Sequence, residues 1–222
     1  MTIPHKEKLG NLAYQAIREM MGEHRFQPGT RLNLEKLRRE LGVSRTPVME
    51  AINRLEQEGL VINVPNRGVY MVELTLQDML HLYQVREVLE SLAARLAAVQ
   101  MDEETIEYMD QNLQVQSQAV EDLDLMTYSR LDYEFHGAIY SASGNPYLQE
   151  SLEVLKNKMR PMTLRLEPIL TQLYSHHLDL FEALKDGDPV ASEAAFKVHN
   201  RFIVEYIAEV MDQDSEGAAR PG

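Results

Sequence analysis

Asp132 and His136 stand four residues apart, so one helix face carries both. His177 and His199 lie farther along, and all three histidines have apolar neighbours in Phe135, Leu178 and Val198. Imidazoles and a carboxylate drawn from three helices could converge on a divalent first-row transition metal and leave positions for water or a ligand. Nitrogen-rich ligation suits zinc or nickel better than calcium or magnesium. A plainer reading stands beside this one. A histidine on a half-apolar helix face is more often a hydrogen-bonded core residue than a ligand. Asp132 could equally pair with Arg130, and spacing does not choose between His176 and His177.

The elements that must position these residues read as helix throughout. Thr75 caps a helix whose stretch from Met79 to Met101 places Leu82, Val85, Val88, Leu89, Leu92, Ala93 and Leu96 along one broad face. Asp102 caps a second, through about Glu121. A third runs from Leu125 to Ser143 with Tyr128, Leu131, Phe135, Ile139 and Tyr140, and stops at Gly144. Asn145-Pro146 opens a fourth with Leu148, Leu152, Leu155 and Met159. Pro161 and Pro168 break or kink the chain beyond it. Another helix spans Ile169 to Lys185, Asp186-Gly187-Asp188-Pro189 turns the chain, and the last helix runs from Val190 to about Met211. Residues 75–213 are therefore expected to form an all-α bundle of six or seven helices, with a disordered tail at 214–222.

Residues 1–74 have a different organisation. A first helix over 5–24 buries Leu9, Ala13, Ile17, Met20 and Met21, and Gln27-Pro28-Gly29-Thr30 is a turn. Leu34, Leu37 and Leu41 mark a short helix that ends at Gly42. Ser44 is placed to cap a second helix opening at Arg45, with Pro47 in its first turn and Val48, Ile52 and Leu55 facing inward. Val61–Val64 and Val69–Val72 read as a two-stranded ribbon joined by Pro65-Asn66-Arg67-Gly68. The sum is a winged helix-turn-helix, so the chain is mainly α. The second helix presents Ser44, Arg45 and Thr46 at its start and Arg54 farther along, and Arg67 sits at the ribbon tip. Arginine can grip guanine edges in a major groove while hydroxyls and a helix N-terminus hold phosphates, which points to double-stranded DNA.

Composition narrows the remaining classes. Among 222 residues 44% are hydrophobic, enough for a proper core, and the formal net charge is −13. That acidity is unevenly divided: residues 1–74 hold 11 Lys+Arg against 9 Asp+Glu, residues 75–222 hold 11 against 26. Contact with DNA must then rest on the placement of a few arginines, and affinity should fall quickly with salt. With no cysteine, disulfides, thiolate nucleophiles and cysteine zinc sites are excluded. No run approaches the roughly 18 apolar residues of a membrane span, and the N-terminus lacks a signal-peptide core, so a cytoplasmic location is expected. No HExxH, P-loop or GxGxxG pattern occurs, and Glu134 lies on another helix face from Asp132 and His136, so an enzyme is not expected; the alternative kept open is a metal-dependent hydrolase with a DNA-binding head.

Leu41-Gly-Val-Ser-Arg-Thr-Pro-Val48, Arg54-Leu-Glu-Gln-Glu-Gly-Leu60 and Pro65-Asn-Arg-Gly68 together resemble the N-terminal domain of GntR-type transcriptional regulators. The resemblance implies that Arg31, Ser44, Arg45, Thr46 and Arg67 lie at or near DNA. It departs at Met49, where the family usually carries Arg, which should weaken binding or alter the operator read. Asp132-Tyr-Glu-Phe-His136, Gly144-Asn-Pro-Tyr-Leu148, His177 with the adjoining Leu-Asp-Leu-Phe-Glu-Ala-Leu184, and Ala195 to His199 are similar to the FCD effector domain of the FadR-like branch. That likeness implies metal ligation by Asp132, His136, His177 and His199, selects His177 over His176, and implies a small carboxylic or sugar acid as effector. Arg86, in Gln84-Val-Arg-Glu-Val-Leu-Glu90, and Asn145 are the residues it assigns to that acid; a salt bridge from Arg86 to Glu87 or Glu90 is the competing role. The implied protein is a homodimer on a palindromic operator, commonly a repressor, with the metal as a structural element or as the signal itself for alternatives.

Overall fold

A computed structural model describes the backbone of residues 5–218 and the side chains of 9–212 other than 161, 162 and 164. The chain divides into two compact units, one up to Glu73 and one from Leu74.

In the first unit α1 (His5–Gly22) packs against α3 (Arg45–Gln57), with α2 (Leu34–Glu40) and the strands β1 (Val61–Val64) and β2 (Gly68–Met71) completing the fold. Tyr14, Ile17, Val48, Ile52, Leu55 and Val69 share its core. Burying side chains of this size stabilises the unit by about 1.5–3 kcal/mol each. Gly42 ends α2 at φ +65°; its N–H bonds Arg39 O at 3.2 Å and that of Val43 bonds Arg38 O at 3.2 Å. This is the Schellman arrangement, which a residue without a β-carbon adopts with least strain. The strands pair antiparallel, Val61 opposite Met71 and Val64 opposite Gly68, and Asn66 turns the tip at φ +59°.

Ser44 occupies the N-cap of α3, yet its side chain makes no capping bond. Of the two amides a capping oxygen can accept from, the one at N3 is missing because that residue is Pro47, and Ser44 does not bond the Thr46 amide that remains at N2.

The second unit holds α4 (Leu76–Ala97), α5 (Glu103–Glu121), α6 (Leu125–Ala142), α7 (Pro146–Met159), a 3-10 segment (Arg160–Ile169), α8 (Leu170–Lys185) and α9 (Pro189–Ala218). Residues 160–169 hold Pro161 and Pro168, and the α-helical ladder gives way there. Thr75 and Asp78 form a capping box at the head of α4: Thr75 N–H bonds Asp78 Oδ2 at 2.9 Å and Asp78 N–H bonds Thr75 Oγ1 at 3.1 Å. Helix α9 continues past Met211 to Ala218, because neither Pro nor Gly interrupts it before Gly217. The tail expected from residue 214 thus overlaps helix, and residues 219–222 lie outside the described residues.

The largest departure is on α4. Its buried face is Met79, Tyr83, Arg86, Glu90, Ser91, Ala93, Ala94 and Ala97, whereas Val85, Val88 and Leu92 from the expected apolar face are exposed. Of the expected face Ala93 is buried and Leu82, Leu89 and Leu96 are half-buried, so the buried side is rotated toward the Arg86–Glu90 ion pair, which hydrophobic periodicity does not register.

The two caps differ in a measurable way. Thr75→Ala should cost about 1 kcal/mol in urea unfolding, the usual loss for a bonded cap. Ser44→Ala should stay within about 0.5 kcal/mol, as at a surface site without such a feature.

Candidate functional site

His136 from α6, His177 from α8 and His199 from α9 are all buried, and one ligand atom of each lies within 4.8 Å of the others. His136 Nε2 and His177 Nε2 face each other at 3.2 Å. Asp132, one turn before His136 and only partly covered, brings Oδ1 to 3.7 Å from His136 Nε2 and 3.6 Å from His177 Nε2. Phe135 stacks on His177 with ring centres 4.6 Å apart, and Tyr128 lies parallel to it at 6.2 Å. His176 is half-buried and directs its ring at Phe202 and His199 instead. All four sequence-expected ligands come together, with His177 rather than His176 in the cluster.

A hydrogen-bond relay fixes which nitrogen of His177 carries the proton. Asn112 Nδ2 donates to the backbone carbonyl of Leu131 at 3.2 Å, a group that can only accept. Asn112 Oδ1 therefore turns to Gln116, accepting from its Nε2 at 2.7 Å. Gln116 Oε1 is left to accept from His177 Nδ1 at 2.9 Å. Nδ1 carries the proton, and the Nε2 lone pair points into the cluster. His136 Nδ1 lies 3.2 Å from the acceptor-only carboxylate of Glu90, 3.4 Å from the donor-only Arg86 Nη2 and 3.5 Å from the Tyr140 hydroxyl; the shortest of these contacts puts its proton on Nδ1 as well. Two lone pairs facing each other at 3.2 Å repel unless a cation or a proton lies between them. The donor set, the acceptors behind both imidazoles and a buried His199 Nδ1 without a hydrogen-bond partner all fit a metal ion.

Glu90 is the hub behind this arrangement. Fully buried on α4, it accepts from Arg86 Nη2 at 2.7 Å and Nε at 3.1 Å, from His136 Nδ1, from the Tyr140 hydroxyl, and from Asn200 Nδ2 at 2.8 Å. Burial alone would raise its pKa; the Arg86 guanidinium and the His136 contact outweigh it and hold the carboxyl well below the usual range. The same burial, with Glu90 beside it, pushes the Tyr140 hydroxyl well up.

Beside the cluster is a cavity of about 20 Å3, bordered by Asp132 and His199 and by three cations, Arg86, Lys156 and Arg160. That volume holds about one water.

In the first unit, Arg31, Ser44, Arg45, Thr46 and Arg67 are exposed. A β-carbon on Gly68, at φ +111°, would come within 2.7 Å of Arg31 Nε, so this glycine lets Arg31 lie against the wing. Among the described residues Arg31, Arg45 and Arg67 make no ion pair. Their neighbours differ: Glu35 bonds Arg38 at 2.6 Å and Arg39 at 3.1 Å, and Glu40 bonds Arg25.

A family model described as bacterial regulatory proteins, gntR family, matches residues 9–71, and one described as the FCD domain matches residues 81–202. The chain belongs to the GntR family, with an FCD domain. It is similar to the HTH-type transcriptional repressor RspR of Escherichia coli (strain K12), 28% identical over 206 residues that cover 91% of this chain and 90% of that protein. It is likewise similar to the uncharacterized HTH-type transcriptional regulator YdhC of Bacillus subtilis (strain 168), 28% identical over 214 residues, covering 91% and 92%. The solved structure of McbR/YncC of E. coli shares the fold at a TM-score of 0.82 and 23% identity, covering 91% of this chain and 98% of that one. The GntR protein is thus a DNA-binding transcriptional regulator and not an enzyme. Among its described residues, no helix is long and apolar enough to cross a membrane.

Three expected site residues of this GntR regulator have other engagements. Asn145 accepts from Leu148 N–H at 3.2 Å as the N-cap of α7, and it does not border the cavity, which lies at the helix's other end. Arg54 folds back on α1, bonding Asn11 Oδ1 at 2.8 Å with its guanidinium 3.8 Å from the Tyr14 ring centre. Arg86 does border the cavity, but its ion pair with Glu90 is buried rather than superficial. Sequence reasoning missed Gln116, Asn112, Asn200 and Lys156. For Lys156 a signal existed: it falls on the buried stripe Leu148, Leu152, Lys156, Met159 of α7.

The buried imidazoles give the metal-free GntR regulator an acid-sensitive stability. Burial, reinforced by neighbouring histidines, holds His177 and His199 well below histidine's ordinary range. The unfolded chain binds protons near pH 6.5 that the folded one refuses, so stability present above that pH is lost as pH falls below it. Lys156, brought down to about 8 by burial, changes the balance only at higher pH, and Glu90 only at lower pH. Urea midpoints of metal-free protein should drop between about pH 7.5 and 5.5, and His199→Asn should flatten that slope.

Proposed function

We propose that this regulator is a repressor that binds a palindromic DNA operator as a homodimer and is released when a small carboxylic or sugar acid joins a divalent transition metal, zinc or nickel, held in the bundle by Asp132, His136, His177 and His199. One observation carries the reading: the relay through Asn112 and Gln116, with Glu90 on the other side, turns the Nε2 lone pairs of His177 and His136 toward each other beside Asp132. A buried core pair with no ion to hold would gain more by hydrogen-bonding one nitrogen to the other. Bound there, the metal would supply a Lewis-acidic centre for a carboxylate. Binding shifts the DNA affinity only to the extent that the acid prefers one arrangement of the protein.

On the DNA side, Arg45 and Thr46 at the start of α3 would enter a major groove, with Ser44, Arg31 and Arg67 on the backbone or an adjoining groove. Ser44 supports this because its hydroxyl makes no cap bond. Arg54 is left out of the interface, being engaged by Tyr14 and Asn11. The exposed Val85, Val88 and Leu92 of α4 offer an apolar stripe that a second copy could cover. The small cavity volume favours one further reading, in which the metal is itself the signal.

Thermal unfolding against a panel of small acids, with and without a chelator, separates these. An acid at a hundredfold excess over its Kd should raise Tm by roughly 5–10 °C, and chelator should erase the shift. Destabilisation by chelator with no response to any acid would leave the metal as the signal. His177→Ala and His199→Ala should each lose stoichiometric metal while remaining folded; metal retained in both would overturn the ligand set. For DNA, Arg31→Ala, Arg45→Ala or Arg67→Ala should lower the slope of log K against log salt by about 1 where the arginine meets a phosphate. Arg54→Ala should leave that slope unchanged.

A further inference from the structure

Lys156 is a buried cation with no ion pair among the described residues, and the carboxylates that act on it from farther off, Glu153 and Asp132, do not outweigh its burial. Its ammonium has one hydrogen bond, to the carbonyl of Tyr133 at 3.1 Å, and lies 3.8 Å from the Tyr133 ring centre and 4.8 Å from that of Tyr140. The residue is 7% exposed and takes part in no ion pair. Arg160 lies over the same Tyr133 ring, its guanidinium 4.4 Å from the centre. Both border the cavity next to Asp132 and His199, and Asp132 is the one carboxylate in that lining. Arg86, the third cation there, is already matched by Glu90. An uncompensated charge out of water is costly, and proteins keep one where something of opposite sign arrives.

Resting on the metal-dependent effector site above, we propose that the effector is a dianion, a short dicarboxylic acid with one carboxylate on the metal and the second on Lys156. A monocarboxylate satisfies the metal and leaves the ammonium unmatched. Lys156 thereby sets specificity by charge count, as a buried polar group rejects the analogue that fails to pair with it. Burial already pulls Lys156 down to about 8, the response of an ammonium short of counter-charge, and a bound carboxylate would reverse it. The cavity as it stands holds about a water, so the bound acid would displace neighbouring side chains, which favours the shortest diacids.

The test is calorimetry on the zinc-loaded full-length protein with malonate, succinate and glutarate, each against the monocarboxylate of equal carbon number. At least one diacid should bind on the order of tenfold tighter than its partner. Lys156→Met should erase that margin while keeping stoichiometric zinc and the monocarboxylate affinity, and Lys156→Arg should restore most of it. Equal affinities in every pair, or a margin that survives Lys156→Met, would overturn the assignment, since chelation of the metal alone would then explain any diacid preference. Metal stoichiometry is titrated first on the wild-type protein: failure to bind either zinc or nickel would sink the metal site, whereas metal binding without a diacid margin would sink this inference alone.

Discussion

An ionised carboxylate taken fully out of water must find its solvation inside the protein, and Glu90 does so with five donor contacts drawn from α4, α6 and α9. Desolvation of such a group costs several kcal/mol, recovered only when geometry and hydrogen bonds are nearly complete. That requirement locks three helices together around one side chain. Arg86 pairs with it, His136 turns Nδ1 toward it, and Asn200, next to His199 on α9, donates to it. The histidine cluster is therefore oriented by contacts that lie one layer behind it. Replacement of this hub by an apolar side chain of similar volume could preserve folding and still release the imidazole from its orientation, because stability and orientation are separate consequences of the same contacts.

The second half of the cluster is oriented without charge. Leu131's carbonyl, Asn112, Gln116 and His177 form a chain in which each amide is directed by the one before, starting from a backbone atom that can only accept. One histidine is thus set by an anion and the other by a neutral relay. Their protonated Nδ1 atoms point away from each other, and their lone pairs point inward. A histidine cluster built in this way is specified from both flanks.

Most of the architecture was legible in the residues. Caps at Thr75 and Asp102, the glycine stop at Gly42, the prolines at 161 and 168 and the ribbon around Asn66-Arg67 all lie where local chemistry puts them. The i, i+4 pair of Asp132 and His136 was readable for the same reason. Three things were not. Helix α4 buries Arg86 and Glu90 and exposes Val85, Val88 and Leu92, which apolar periodicity cannot register. Asn145 sits in a site motif yet is held by the amide it caps. Arg54 lies on a helix read as facing DNA, but Tyr14 of α1, distant in sequence, captures it. The burial of α4 and the capture of Arg54 depend on long-range partners, and no local pattern names such a partner.

Among the described residues of the first unit, Arg31, Arg45 and Arg67 are exposed arginines without an ion pair, while Arg54 is engaged by the neutral Asn11 and Tyr14. Every site in a genome competes for a regulator through phosphate attraction that ignores sequence, and that competition scales with the cations a protein can offer. A protein that offers few such cations and carries a strongly acidic second half should adhere weakly to bulk DNA and give up little of its population to wrong sites. Occupancy of the right operator is then governed by contrast between sites more than by tightness at one.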